Sequence, residues 1–322
     1  MPVQRSIIAG PCIAAVLAIC ALVSALPAKG QYPQMTAGQH QMGTPAQPGA
    51  TSQVQSKSLP LEPLHDSGSS VTAAFEGWFK NADGSFSLLF GYFNRNLKEE
   101  LDIPIGPNNR IEPGGPDQGQ PTHFLPRRQW GVFTVTVPKN FGNGKVTWTL
   151  VAHGQTTAVP ASLAPLWEIS PYIEESMGNT PPLLSFEEGG ASVQGPRGIN
   201  AALTTTLSNP LPLTVWLADD AKTFPGDPPP KFDPLSVSWS KYRGPGAVTF
   251  ANNTPKVEKT EWKGQQSVAV SGKAATTATF SEPGEYVLRV VINDWSGNGG
   301  HGFQCCWTNG LVKVSVKPAG SR

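Results

Sequence analysis

The 322-residue chain carries almost no net charge, +1 with histidine neutral. That lack removes the general electrostatic attraction to phosphate backbones on which nucleic-acid binders depend, so DNA and RNA are set aside as partners. Catalytic signatures are missing as well: no G-x-S-x-G, H-E-x-x-H, glycine-rich phosphate loop or EF-hand pattern occurs. Sustained 3.6-residue spacing of apolar side chains is nearly absent, and only 97–101 and 173–177 read as short helical pieces. No internal repeat relates the two halves. Beyond the N-terminus no apolar run approaches a membrane span. Four cysteines are present, and only Cys305 and Cys306 lie outside the first twenty residues.

What is present begins with an export signal. One basic residue, Arg5, precedes a nearly unbroken apolar stretch from Ser6 to Leu26, the layout of a secretory leader. Small residues at Val23-Ser24-Ala25 place cleavage after Ala25, so 1–25 is read as a signal peptide and the mature chain as neutral. The rival is an uncleaved anchor, since the run nears the ~20 residues that span a bilayer, although Pro11 interrupts it. Membrane contact is expected only through this segment, if it is kept. The location expected is extracytoplasmic, periplasmic or secreted. Residues 26–68, rich in Gln, Pro, Gly, Ser and Thr, cannot bury enough apolar surface to offset their ordering entropy and read as a disordered linker. Met35, His40 and Met42 in it are soft copper ligands by type, but their scatter fits mere composition.

From Val71 the texture changes to short runs of alternating apolar and polar residues, the signature of half-buried antiparallel strands. Residues 71–79 and 85–94 form a predicted hairpin closed by Lys80-Asn81-Ala82-Asp83-Gly84. Both faces of 86–93 carry large apolar groups, which suits a central strand or a sheet whose outer face packs on a neighbour. Phe133, Val135 and Val137, then Val146, Trp148 and Leu150, alternate with threonines. Later strands are predicted at 201–208, 213–218, 235–241, 274–280, 286–293 and 311–316, the last with Val312, Val314 and Val316 against Lys313, Ser315 and Lys317. The chain's 34 glycines and 32 prolines supply the turns. The expectation is an all-β chain of two β-sandwich domains in tandem, 69–165 and 183–318, joined by a linker at 166–182. The Pro- and Gly-rich stretch 103–128 reads as a long surface loop.

Within the second half, Trp239 leads into Gly244-Pro245-Gly246, and Phe280, Pro283, Gly284, Tyr286, Leu288 and Asp294 follow at fixed spacing. This stretch, 235–316, resembles the immunoglobulin-like domains of the polycystic-kidney-disease (PKD) type, especially their bacterial forms. The resemblance implies a sandwich with adhesion, spacing or display duties on bacterial envelope proteins, and no catalysis. The sequence departs from the pattern through insertions at 219–234 and 296–309. The first half, FEGWF through GYFNRN, looks like uncharacterised exported bacterial proteins, which adds no function.

Several residues are candidates for chemistry. Asp219, Asp220 and Asp294, with Asp227 and Asp233, fall in or beside loops that such a topology gathers at one end, where clustered carboxylates could hold calcium; the plainer reading is solvated turns. No other cofactor is expected. Cys305 and Cys306 are adjacent, so they form a vicinal disulfide in a tight turn, link to a second chain, stay free, or with His301 ligate a metal. His123, Arg127 and Arg128 could make an anion patch, with Asp117 completing an acid/base set. Trp78, Phe86, Phe90, Tyr92, Phe93, Trp130 and Trp148 are core or a sugar-binding platform. The functional expectation is an exported non-catalytic binding or structural protein, an adhesion or scaffold component of the bacterial cell envelope, whose partner is an envelope protein or glycan. The alternative is a carbohydrate-active or other hydrolytic enzyme with its site in the 103–128 loop.

Overall fold

Alternation of greasy and wettable side chains produces seventeen strands among the described residues of the computed structural model, which are 65–223, 226, 234–296 and 305–320. The leader at 1–25, the linker up to residue 64, and Asp227, Asp233 and His301 lie outside them. The described residues fall within one compact unit.

In the first sandwich one sheet contains β1 (Val71–Lys80), β2 (Phe86–Asn94) and β6 (Arg127–Val137), in the order β1-β2-β6. The facing sheet contains β4 (Asn109–Glu112), β7 (Val146–Ala152) and β8 (Gln155–Ala161). A two-stranded piece, β3 (Leu101–Asp102) with β5 (His123–Phe124), closes one side. The core between the sheets is aromatic: Phe90, Phe133 and Trp148 are buried, and Trp148 meets Phe133 edge-on at 5.0 Å. The stretch expected as an irregular surface loop, 103–128, instead contributes β4 and β5 and buries Ile111, Gln120 and Phe124.

The second sandwich starts with β9 (Leu183–Ser185), β10 (Ile199–Thr206) and β11 (Leu211–Asp219). It continues with β12 (Leu235–Arg243), β13 (Val248–Phe250), β14 (Glu258–Lys259), β15 (Val270–Phe280), β16 (Gly284–Asp294) and β17 (Trp307–Lys317). One sheet runs β13-β15-β11-β9 and the other β10-β17-β16-β12. Taken in chain order these are the D-E-B-A and G-F-C sheets of an immunoglobulin fold, with β10 added parallel to the last strand. Trp239 sits buried on the third of those strands, where the fold places its tryptophan. Val312, Val314 and Val316 point into the core as their alternation requires, while Lys313 and Lys317 face solvent.

Of the motif residues behind the PKD-type resemblance, Gly244, Gly246 and Tyr286 meet in space. Tyr286 Oη donates to the Glu282 carbonyl at 2.8 Å and accepts from Gly246 N–H at 3.1 Å, closing a tyrosine corner at the β15–β16 turn. Gly244 has to be glycine there, because its φ is +147° and a Cβ would stand 2.1 Å from the Tyr286 ring.

No α-helix forms among the described residues; one 3-10 turn spans Pro165–Trp167. At 97–101 the amide donors that a helix needs are spent elsewhere, Leu97 N–H on His65 O and Lys98 and Glu99 N–H on Asp66 O. At 173–177 the Glu174 carboxylate takes the Ser176 and Met177 amides in a local turn.

Candidate functional site

The two sandwiches are joined by a buried interface. β1 and β2 turn Phe79 and Leu89 outward onto Val291 and Trp307 of the second sandwich, and all four are buried. The two-faced apolar character of 86–93 is thus explained: Leu88 and Phe90 face their own core and Leu89 the neighbour. Register shifts in all three strands of the first sheet open a gap around Glu76, Gly91 and Gly131. The Glu76 carboxylate fills it, accepting from Gly131 N–H at 2.6 Å and from Arg128 Nη2 at 2.5 Å. Burial pushes the Glu76 carboxyl up, against the pull of Arg128 and the amide. From the other side the buried Arg289 guanidinium donates to Asn309 Oδ1 at 2.8 Å and to the Gly131 carbonyl at 3.2 Å. Trp307 lies so close that a Cβ on Gly131 would be 2.1 Å from its ring. The expected linker is part of this arrangement. Ile169 N–H bonds the Trp78 carbonyl, and Tyr172 packs edge-on against Phe79 at 5.5 Å.

Beside the interface a groove of about 760 Å³ runs between the sandwiches. Its walls include Glu100, Asp102 and His123 from the first sandwich and Trp239, Lys241 and Phe250 from the second. His123, 7% exposed, is held at both ring nitrogens, Nδ1 3.0 Å from Asp102 Oδ1 and Nε2 3.0 Å from Glu100 Oε2. Lys241 Nζ reaches the same Asp102 at 3.0 Å and so crosses between sandwiches. Burial lowers the His123 pKa, but the two carboxylates outweigh it and the net shift is upward. Hydrogen bonds from His123 hold Glu100 down, and those from His123 and Lys241 overcome burial to hold Asp102 down. Elsewhere along the same seam Arg243 chelates the exposed Asp117 at 2.8 and 3.0 Å, and the buried Tyr242 donates its Oη–H to the Gly119 carbonyl at 2.5 Å.

The anion patch expected from His123, Arg127 and Arg128 is therefore not assembled. His123 turns to two carboxylates, Arg128 to Glu76, and Arg127 covers Phe93 at 5.7 Å. Asp117 is tied to Arg243 rather than to His123. Nor do the aromatics form a platform: Trp78, Phe90, Tyr92 and Trp148 are buried, and Trp130 lies under Arg128 at 3.8 Å. Nothing in local sequence pattern signals Glu76, Arg289 or Gly131, because Gly131 meets Glu76 and Arg289 across 55 and 158 residues of chain.

At one pole of the second sandwich the acidic candidates gather in part. Asp219 and Asp294 end β11 and β16, and both are buried. Asp294 Oδ2 accepts from Asn179 Nδ2 at 2.6 Å, and Asp220 Oδ2 accepts from Thr180 Oγ1 at 2.9 Å. Asp220 also pairs with Lys222 at 3.4 Å. Burial, with the like charges of Asp294 and Asp220, pushes the Asp219 carboxyl up to about 7. Among the described residues no three Asp, Glu, His or Cys side chains converge as a metal set. Cys305 and Cys306 are bonded to each other, both buried, with Cys306 Sγ 3.6 Å from the Asn179 carbonyl.

No protein-family description matches the chain, and no curated protein matches it. Among solved structures, it is similar to the D0-D1 domain of intimin, at 12% identity over 76% of this chain and 97% of that one, with a TM-score of 0.21. Domains 4 and 5 of the S-layer protein SbsC align at 12% identity over 77% and 98%, with a TM-score of 0.19. Zebrafish RET cadherin-like domains 1 to 4 align at 12% identity over 66% and 40%, with a TM-score of 0.24. At scores this low the superpositions do not bear on the fold, which rests on the strand order described above.

Proposed function

We propose that this chain is an exported, non-catalytic binding and structural protein of the bacterial cell envelope, with a second sandwich of the PKD type. The carrying observation is the seam. Its charged and polar side chains are spent on one another, across the two sandwiches as Asp102 with Lys241, Asp117 with Arg243 and Arg289 with the Gly131 carbonyl, and beside the seam within the first as Glu76 with Arg128 and Asp102 with His123. An arrangement of that kind fixes the relative pose of two sheets and keeps the groove between them open, which suits a part that must hold a partner or transmit load. The apolar leader supports export, with cleavage after Ala25. The groove, edged by hydroxyl and amide side chains such as Ser240, Thr249 and Asn253, is the surface offered to an envelope protein or glycan.

The test is localisation joined to retention. Expressed with its own N-terminus in a bacterial host, the protein is expected outside the cytoplasm, starting at Leu26, and to co-sediment with purified envelope. Asn253→Arg, which fills the groove, should cut retention several-fold without moving the thermal midpoint. Recovery of the uncleaved chain in the cytosol, or equal retention of the Asn253→Arg protein, would count against the proposal.

A further inference from the structure

We propose that Asp219, Asp294 and Asn179 form a binding site for a hard divalent cation of the calcium kind at the pole of the second sandwich. The two carboxylates end strands that belong to opposite sheets. The neighbouring residues Asn179 and Thr180 span the place where those strands end, one bonding Asp294 and the other Asp220. With its Nδ2 committed to Asp294, Asn179 has its Oδ1 left over, and that atom accepts no hydrogen bond although the residue is 0% exposed. Asp219 repeats the pattern: Oδ2 takes the Ala221 amide at 2.7 Å, while Oδ1 is buried and accepts nothing.

Two buried acceptors without donors cost about 1–3 kcal/mol each when nothing satisfies them. A set made of carboxylate and amide oxygens, with no nitrogen or thiolate, matches a hard ion, which takes six to eight oxygens and completes its shell with backbone carbonyls and water. Asp220 is outside the set, since the Lys222 ammonium already stands 3.4 Å from its carboxylate, while Asp294 takes neutral donors, the Ser296 amide and hydroxyl on Oδ1 at 2.8 and 2.6 Å and Asn179 on Oδ2. The chemical rival is a proton on Asp219 donated to Asn179 Oδ1, which would satisfy the same two atoms without a metal.

The experiment uses the full chain, stripped with a chelator. Calcium chloride at about a hundred times the dissociation constant should raise the thermal midpoint by roughly 5–10 °C. Terbium should luminesce on excitation of Trp295, which adjoins Asp294 and donates its indole N–H to the Lys222 carbonyl, and calcium should quench that signal by displacement. Asp219→Asn should abolish both responses, and Asp220→Asn should keep them. If Asp219→Asn does not fold, Asn179→Ser serves in its place, with affinity expected to fall at least ten-fold. A midpoint that ignores calcium yet tracks pH near neutrality would overturn the cation in favour of the proton, as would an Asp219→Asn protein with an undiminished calcium response.

Discussion

Adding one methyl group at Gly131 tests whether the two sandwiches are joined at Trp307. Gly131 lies in the irregular part of β6 with φ +51°, and a Cβ there would stand 2.1 Å from one Trp307 ring atom and 2.4 Å from the next. Left-handed backbone costs an alanine about 1–2 kcal/mol. Forcing an extra carbon into a filled contact costs about 1–3 kcal/mol more. The second contribution falls on the seam and not on either sandwich core, because Trp307 belongs to the small cluster with Phe79, Leu89 and Val291. Gly154 is the control: its φ is +73° and nothing lies within 4 Å of its would-be Cβ, so Gly154→Ala suffers the backbone cost alone. Calorimetric unfolding should show Gly131→Ala lower in midpoint than Gly154→Ala by about 2–12 °C. The single transition of the parent should also broaden or split, as cores that no longer support each other melt separately. Equal midpoints for the two variants would refute the seam's steric basis.

Two further changes probe other joints. The His123 pKa is raised, so its contribution is fully present below its ordinary value of about 6.5 and is lost as pH rises through the folded value. Neutral imidazole has one donor and cannot serve both Glu100 and Asp102, and Lys241 then remains the sole cation on Asp102. At the acid end the lowered carboxyls of Glu100 and Asp102 contribute above about pH 4 and fail as pH falls through their folded values. Denaturation midpoints against pH should therefore decline on the alkaline side in the parent and less so in His123→Gln; parallel curves would contradict this. Tyr286→Phe removes the acceptor of the buried Gly246 amide and should cost about 1–2 kcal/mol in urea titration, whereas an unchanged midpoint would show the corner to be idle.

Much of the fold was legible wherever one strand face is dry and the other wet. β17, with three valines against two lysines and a serine, and the β1–β2 hairpin with Gly84 in its turn are cases in which local pattern and tertiary burial agree. The tyrosine corner was legible for a different reason, since Tyr286 bonds the Glu282 carbonyl only four residues back, and Gly244 and Gly246 pack too close to the tyrosine to carry a Cβ. β4 escaped detection because four residues with one inward isoleucine, between prolines and glycines, carry too little alternation to register. The charged seam was invisible because Glu76, Arg128 and Arg289 acquire meaning only when strands more than fifty residues apart are juxtaposed. Composition suggested an anion patch around His123, but composition reports charge and not direction, and the carboxylates of Glu100 and Asp102 reached the ring first. Adjacency alone left the fate of Cys305 and Cys306 open; burial of both beside Asn179 goes with their bond to each other.

The most direct test of a rigid two-sandwich body is the distribution of distances between spin labels on cysteines introduced at Thr156 in β8 and Thr204 in β10, both exposed. A body held together by Trp307, Glu76 and Arg289 predicts one narrow distance, which widens in Gly131→Ala. A broad or multiple distribution in the parent protein would contradict it.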